Sequence, residues 1–341
     1  MPKWPDRSRL WTISARSSAF CSDERMRHRS RLPTQLGPQF SVREAREAGV
    51  SRNRLRASDL RSSFRGARSI ARAATPSNES SAQFFARQRE ELLQRCREYL
   101  PVAPPRFRFS GVTAAMVYGV PLPRALSRIE TLEVAVAAGS QRPRRRGIVG
   151  RRLVIVPPPV IRDGLPLLPP EQVWLQLASV LTLDELIVAG DYLVRRKRAD
   201  TSVERLVAEV AISKGSHGTK RARLALRDIR AGTDSPKETE LRLLVVRAGL
   251  PEPVIGHRIT DADGYLVGVP DLAYVEERIA IDYDGDVHRT DERVFLDDIE
   301  RRERFEDAEW RYLRVSKNHL RSPGTLLGRI AHYLRVRSPG A

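Results

Sequence analysis

Val269-Pro270-Asp271-Leu272-Ala273-Tyr274-Val275-Glu276-Glu277-Arg278-Ile279-Ala280-Ile281-Asp282-Tyr283-Asp284-Gly285-Asp286-Val287-His288 is the stretch from which the rest of the chain is read. It predicts a β-hairpin whose first strand carries an acid behind a proline. In the second strand Ile279, Ile281 and Tyr283 alternate with Asp282 and Asp284. A period of two sends the two aspartates to one face and the apolar set to the other. Like charges two residues apart repel, and a divalent cation removes that cost. A solvated edge strand whose carboxylates discourage aggregation is the plainer alternative.

The flanking residues sharpen the choice. Upstream, Ser235-Pro236-Lys237-Glu238-Thr239 reads as a helix start, with Ser235 as N-cap, Pro236 at the first helical position and Glu238 at the third. Downstream, a charged helix is expected from about Asp298 to Ala308, a strand at Arg311–Val315 and an apolar-faced helix at Thr325–Val336. Asp298 and Arg301 also fit a simple i,i+3 ion pair on a helix face.

Taken in order, Glu238, Pro270-Asp271, Ile281-Asp282-Tyr283-Asp284-Gly285, His288, Asp298-x-x-Arg301 and Trp310-Arg311-Tyr312-Leu313-Arg314 resemble a domain of unknown function related to very-short-patch-repair (Vsr) endonucleases, within the PD-(D/E)xK nucleases. The resemblance covers about 235–335. It implies a restriction-endonuclease-like α/β/α core that hydrolyses phosphodiesters with Mg²⁺ or Mn²⁺. It also implies Asp271 and Asp282 as metal ligands, Glu238 as an accessory acid, and His288 as general base or water-positioning group. Asp284 stands where many relatives in the wider superfamily carry lysine. The chain departs from the pattern in three places: Asp282 replaces the usual Glu, the motif has no lysine, and Glu309 precedes Trp310 where Gly is usual.

The charge of the chain points to a polyanion. Its 341 residues carry a net charge of +18. The distribution is uneven: residues 235–341 sum to −3 and residues 1–234 to +21. Nucleic acid is the simplest partner for such a polycation. Only six of the 60 basic residues are lysine, so a compositional bias toward arginine is the competing explanation. Cys21 and Cys96 have no metal-type spacing, which makes a reducing cytoplasm the default. No run of residues is apolar enough to suggest a membrane span. The Arg- and Ser-rich segment 1–25 is expected to be a disordered tail, or an upstream extension of a chain starting at Met26; a transit peptide is the less favoured reading.

Within the basic part, residues 38–72 suggest a small helical DNA-binding unit. Ser41 and Glu44 form a capping-box pattern ahead of a helix that ends at Gly49. A second helix, Arg52 to Leu60, is expected to present Arg52, Arg54 and Arg56 to phosphates, with 64–68 as a wing. Two short helices packed on a neighbour would read similarly. Residues 73–81 read as a linker, followed by a long helix over 82–100. Residues 106–200 read as mixed α/β. They contain a helix at 110–118, a strand at 131–137, and a basic loop or strand edge over 141–152 that includes Arg144, Arg145 and Arg146. Further helices are expected at 170–181, 183–196, 203–212 and 219–230, with a domain boundary near 233.

Residues 40–68, together with Phe109-Ser110-x-x-Thr113-Ala114-Ala115 and Gly119-Val120-Pro121-Leu122-Pro123, are similar to AbiEi-type antitoxins of type IV toxin–antitoxin systems, over about 35–200. This implies a winged-helix repressor with an α/β partner domain and a toxin partner. The expected organisation is therefore multidomain α/β. Residues 1–34 form a tail, 35–75 a winged-helix-like unit, 82–232 a mixed α/β domain and 233–338 the endonuclease-related core. The leading expectation is a cytoplasmic DNA-binding protein with a Mg²⁺-dependent endonuclease domain. The alternative is a transcriptional regulator or antitoxin with a degenerate nuclease fold. Charge alone does not exclude RNA.

Overall fold

The expected capping box at Ser41 forms as read. Its side chain accepts from the Glu44 N–H at 3.1 Å while the Glu44 carboxylate accepts from the Ser41 N–H at 2.7 Å. This starts α1 (Val42–Glu47), directly after β1 (Gln39–Ser41). The computed structural model describes residues 30–70, 81–127, 130–213, 215, 217–284 and 292–338.

The expected helix at 52–60 is not formed. Only a 3-10 turn at Arg54–Arg56 is present, because the chain must already be extended at β2 (Leu60–Arg61) to pair with β3 (Ala67–Ile70). The antiparallel order is β1-β3-β2. Phe64 and Ala67 pack into the central hydrophobic core, and Ser69 donates to the buried Glu98 at 2.9 Å, so this small sheet is seated on α2 (Ser81–Tyr99).

The central region holds a five-stranded sheet in the order β6-β5-β4-β8-β7. Its strands are β4 (Arg108–Phe109), β5 (Leu132–Ala137), β6 (Ile148–Leu153), β7 (Val160–Arg162) and β8 (Leu165–Leu167). Between β4 and β5 lies α3 (Gly111–Tyr118), a nearly wholly buried helix closed by Gly119 in the left-handed conformation (φ 82°). After β8 come α4 (Pro170–Leu177), α5 (Leu183–Leu193), α6 (Val203–Ile212) and α7 (Thr219–Asp228). None of these helices is long and apolar enough to cross a membrane.

Pro236 at the first helical position and the Ser235 side chain, which accepts from the Glu238 N–H at 3.3 Å, begin α8 (Pro236–Arg247). This helix serves two layers. Leu241 and Val245 face the C-terminal sheet, while Leu243 joins the central core. The boundary expected near 233 thus falls at the entry to a shared helix.

Beyond α8 lie β9 (Val254–Ile255), the two-stranded ribbon β10 (Ile259–Thr260) and β11 (Leu266–Gly268), then β12 (Leu272–Tyr274) and β13 (Ile279–Asp284). The expected hairpin is present, with Leu272 opposite Ile281 and Tyr274 opposite Ile279. After α9 (Glu292–Asp307), β14 (Arg311–Ser316) runs parallel to β13, and α10 (Lys317–Arg321) and α11 (Gly324–Arg337) follow. α9 begins six residues before the expected start at Asp298. The sheet order is β14-β13-β12-β9. Ile279, Ile281, Leu313 and Val315 bury one face against α8 and α11; Ala273, Ala280 and Phe305 bury the other under α9.

Candidate functional site

The alternation read in β13 places Asp282 on the α9 face, behind the same strand whose isoleucines fill the opposite core. Both of its oxygens are engaged. Oδ1 accepts from the Asp271 N–H at 2.8 Å; Oδ2 accepts from Arg301 Nε and from the Tyr312 hydroxyl, each at 2.8 Å. Arg301 reaches across from α9, lies over the Phe305 ring and also donates to the Val269 carbonyl at 3.2 Å. Phe305 in turn stacks on Tyr312 at 5.0 Å between centroids. Gly268 leaves the space for this packing, because a Cβ there would lie 2.9 Å from Phe305 Cζ. Asp282 is thereby a hub that fastens the start of β12, α9 and β14 together.

Asp271 sits just before β12. Its Oδ2 accepts from the Tyr283 N–H at 2.7 Å, which makes the two aspartates reciprocal across the hairpin. Burial pushes its carboxyl up to about 7, and the neighbouring charges of Glu238 and then Asp282 add to the rise. Glu238 arrives from the first turn of α8. It is buried and accepts from the Asp234 N–H at 2.7 Å. Burial acts against the charge on Arg301, but the bonded Asp282 carboxylate outweighs it and holds the guanidinium above its ordinary value. Burial and Asp282 push the Tyr312 phenol up.

The structure therefore brings Glu238 and Asp282 each within electrostatic range of Asp271. Asp284, one strand period further on, pairs with Arg314 at 2.7 Å. His288 lies outside the described residues, as does the side chain of Asp298. Among the described residues, no group of three or more His, Cys, Asp or Glu side chains is arranged to hold a metal ion. The donor chemistry agrees, since Asp282 already accepts three hydrogen bonds, one from a guanidinium. In this arrangement the described residues do not fit the Mg²⁺ site that the Vsr-type resemblance implies. The cation facing Asp282 is Arg301, whose motif was legible while its partner was not. In the sequence Tyr312 stands out only as one residue of the Trp310–Arg314 motif. Its role follows from the parallel register that sets it opposite Ala280, two residues before Asp282.

The arginines expected to meet nucleic acid divide into two groups. Arg54 is turned inward: it forms a two-pronged pair with Asp59 at 2.9 and 2.8 Å and donates to the Ser30 carbonyl at 2.7 Å. Arg52, Arg56, Arg144, Arg145 and Arg146 are exposed. Compared with known protein families, curated proteins and solved structures, the chain matches none.

Proposed function

We propose that this chain is a DNA-binding protein of the regulator or antitoxin type, whose nuclease-related C-terminal unit does not hydrolyse DNA. The engagement of both Asp282 oxygens by protein donors carries this reading. A carboxylate that accepts from a backbone N–H, a guanidinium and a phenol is a structural acceptor, and its charge is already balanced by protein. The basic excess of residues 1–234 supplies the affinity for phosphate. The test is incubation of purified full-length protein with supercoiled plasmid and Mg²⁺ or Mn²⁺, beside Asp271→Ala. Absence of nicking with tight, salt-sensitive duplex binding is expected. Nicking that disappears in Asp271→Ala overturns the reading.

One observation favours the second reading, a Mg²⁺- or Mn²⁺-dependent endonuclease. Asp271 is held near neutrality between two other acids, and perturbed carboxylates of this kind concentrate at functional sites. On that reading Asp271 and Glu238 are the acids to test, with Asp284 and His288, and Asp282 has first to part from Arg301.

A further inference from the structure

Two basic segments that lie 80 residues apart in sequence meet in space. Arg145 Nη1 donates to the Arg65 carbonyl at 2.5 Å. Two residues on, Gly147 (φ 77°) lies beside Phe64, where a Cβ would stand in ordinary contact 3.8 Å from its Cε1 and 2.9 Å from Arg95 Nη2. The loop before β6 thus runs along the turn between β2 and β3. It is pinned at its far side as well, where Arg142 Nε donates to the Gly150 carbonyl at 2.7 Å and Gly150 leaves room for Pro143. Arg65, Arg144, Arg145 and Arg146 are all exposed along this seam. Among the described residues, the side chains of Arg65, Arg144 and Arg146 make no ion pair or hydrogen bond.

We infer that this seam is a binding surface for the phosphate backbone of duplex DNA, built jointly by the turn at Arg65 and the loop at Arg144–Arg146. Guanidiniums without a protein partner break no bond on meeting phosphate, the braced backbone beneath them need not reorder, and their fork geometry suits its oxygens. The aromatic residues beneath the seam decide between duplex and single strand. Phe64, Tyr99, Phe107 and Phe109 are all buried and packed edge to face on one another. They therefore offer no platform on which splayed bases could stack, which is how single strands are usually held. The seam meets backbone, not bases, and so adds affinity without sequence preference. The inference rests on the reading of the chain as a DNA-binding protein and is independent of whether the C-terminal unit hydrolyses DNA.

The test is fluorescence anisotropy of a labelled random-sequence duplex across a salt series, with the full chain. Variants are the triple R65A/R144A/R146A and the triple R65K/R144K/R146K. Each lost phosphate contact lowers the steepness of log K against log [salt] by about 0.9. The alanine triple is expected to flatten the slope by roughly 2–3 and to weaken binding. The lysine triple, which keeps the charges, is expected to retain most of the slope. A slope unchanged in the alanine triple overturns the inference, as does tighter binding of the unlabelled single strand than of the duplex. Equal loss in the lysine and alanine triples also overturns it, because charge would then not be what the seam supplies.

Discussion

Asp191→Asn in α5 tests how the central region and the C-terminal unit are joined. Asp191 is 0% exposed and Arg242, from α8, is 1% exposed. Their atoms lie 2.9 Å apart. Asp191 also accepts from the Arg230 N–H at 2.8 Å and the Thr239 hydroxyl at 3.0 Å, while Arg242 donates to the Asp228 carbonyl at 2.6 Å. Burial raises the Asp191 carboxyl, and Arg242 is the largest opposing influence. Removing one member of such a pair strands the other charge without water, at about 3–5 kcal/mol. Asp191→Asn keeps the shape and most hydrogen bonds and leaves Arg242 its longer pair with Glu252 at 3.3 Å, so its cost reads the loss of the buried partner charge. Arg242→Met strands Asp191 instead, and this variant has an escape, because a carboxyl can take up a proton. An acid whose folded pKa lies above its unfolded one favours folding most below the unfolded value and loses that advantage as pH rises. The Arg242→Met deficit is therefore expected to shrink as pH falls from 7 toward 5, whereas the Asp191→Asn deficit does not shrink, because that variant has no carboxyl left to protonate. Urea unfolding with a shared m-value measures both. The double variant Asp191→Asn/Arg242→Met is expected to cost less than the two single changes summed. Costs below about 1 kcal/mol, or strict additivity, would refute the reasoning that this pair is a buried, mutually dependent clamp.

Other perturbations follow from the same geometry. Asp271 carries a carboxyl raised to about 7, so wild-type stability is expected to decline as pH rises from the unfolded carboxyl range through 7; Asp271→Asn is expected to remove that decline, and parallel thermal midpoints from pH 5 to 9 would contradict it. Asp282→Ala leaves Tyr312 and the Asp271 N–H without this acceptor and Arg301 with the Val269 carbonyl and is expected to lower stability by about 1–3 kcal/mol, read by chemical denaturation. Gly150→Ala would put a Cβ 2.6 Å from the Pro143 carbonyl; the loop must shift, at about 1–3 kcal/mol, and binding at the arginine seam should weaken with it in the anisotropy assay. Ser41→Ala removes the capping box and should cost about 1 kcal/mol in the same denaturation experiment.

Short-range signals in the sequence were read correctly where one residue type has one dominant use. Ser41 with Glu44, Gly119 after Tyr118, and Ser235-Pro236 each fix a helix end through local hydrogen bonds or backbone geometry, and each appears as expected. The β12–β13 hairpin was legible for the same reason, since period-two alternation is a property of neighbouring residues. The second helix at 52–60 was misread because its fate depends on distant partners. Arg54 closes onto Asp59 and Ser30, and Leu60 is drawn into a strand by Ile70. The site shows the same division. That Asp282 and the apolar residues lie on opposite faces was legible; that Arg301, nineteen residues on, would take its carboxylate was not, because helix rotation over a sheet is set by packing such as that of Phe305 against Gly268.

The two acids of the hairpin consequently carry different weight. Every hydrogen-bonding direction used by Asp282 has a structural purpose: one oxygen holds the Asp271 backbone, and the other holds α9 through Arg301 and β14 through Tyr312. A chain with no catalytic role would have reason to keep it. Asp271 has a weaker structural justification. Its Tyr283 contact is a single hydrogen bond, set against burial and the repulsion of Glu238 and Asp282. An asparagine would make the same contact without that repulsion. The charge at Asp271 is thus a cost the fold does not require, which is why the nicking test is made at this residue and not at Asp282, whose loss would also unfasten the fold.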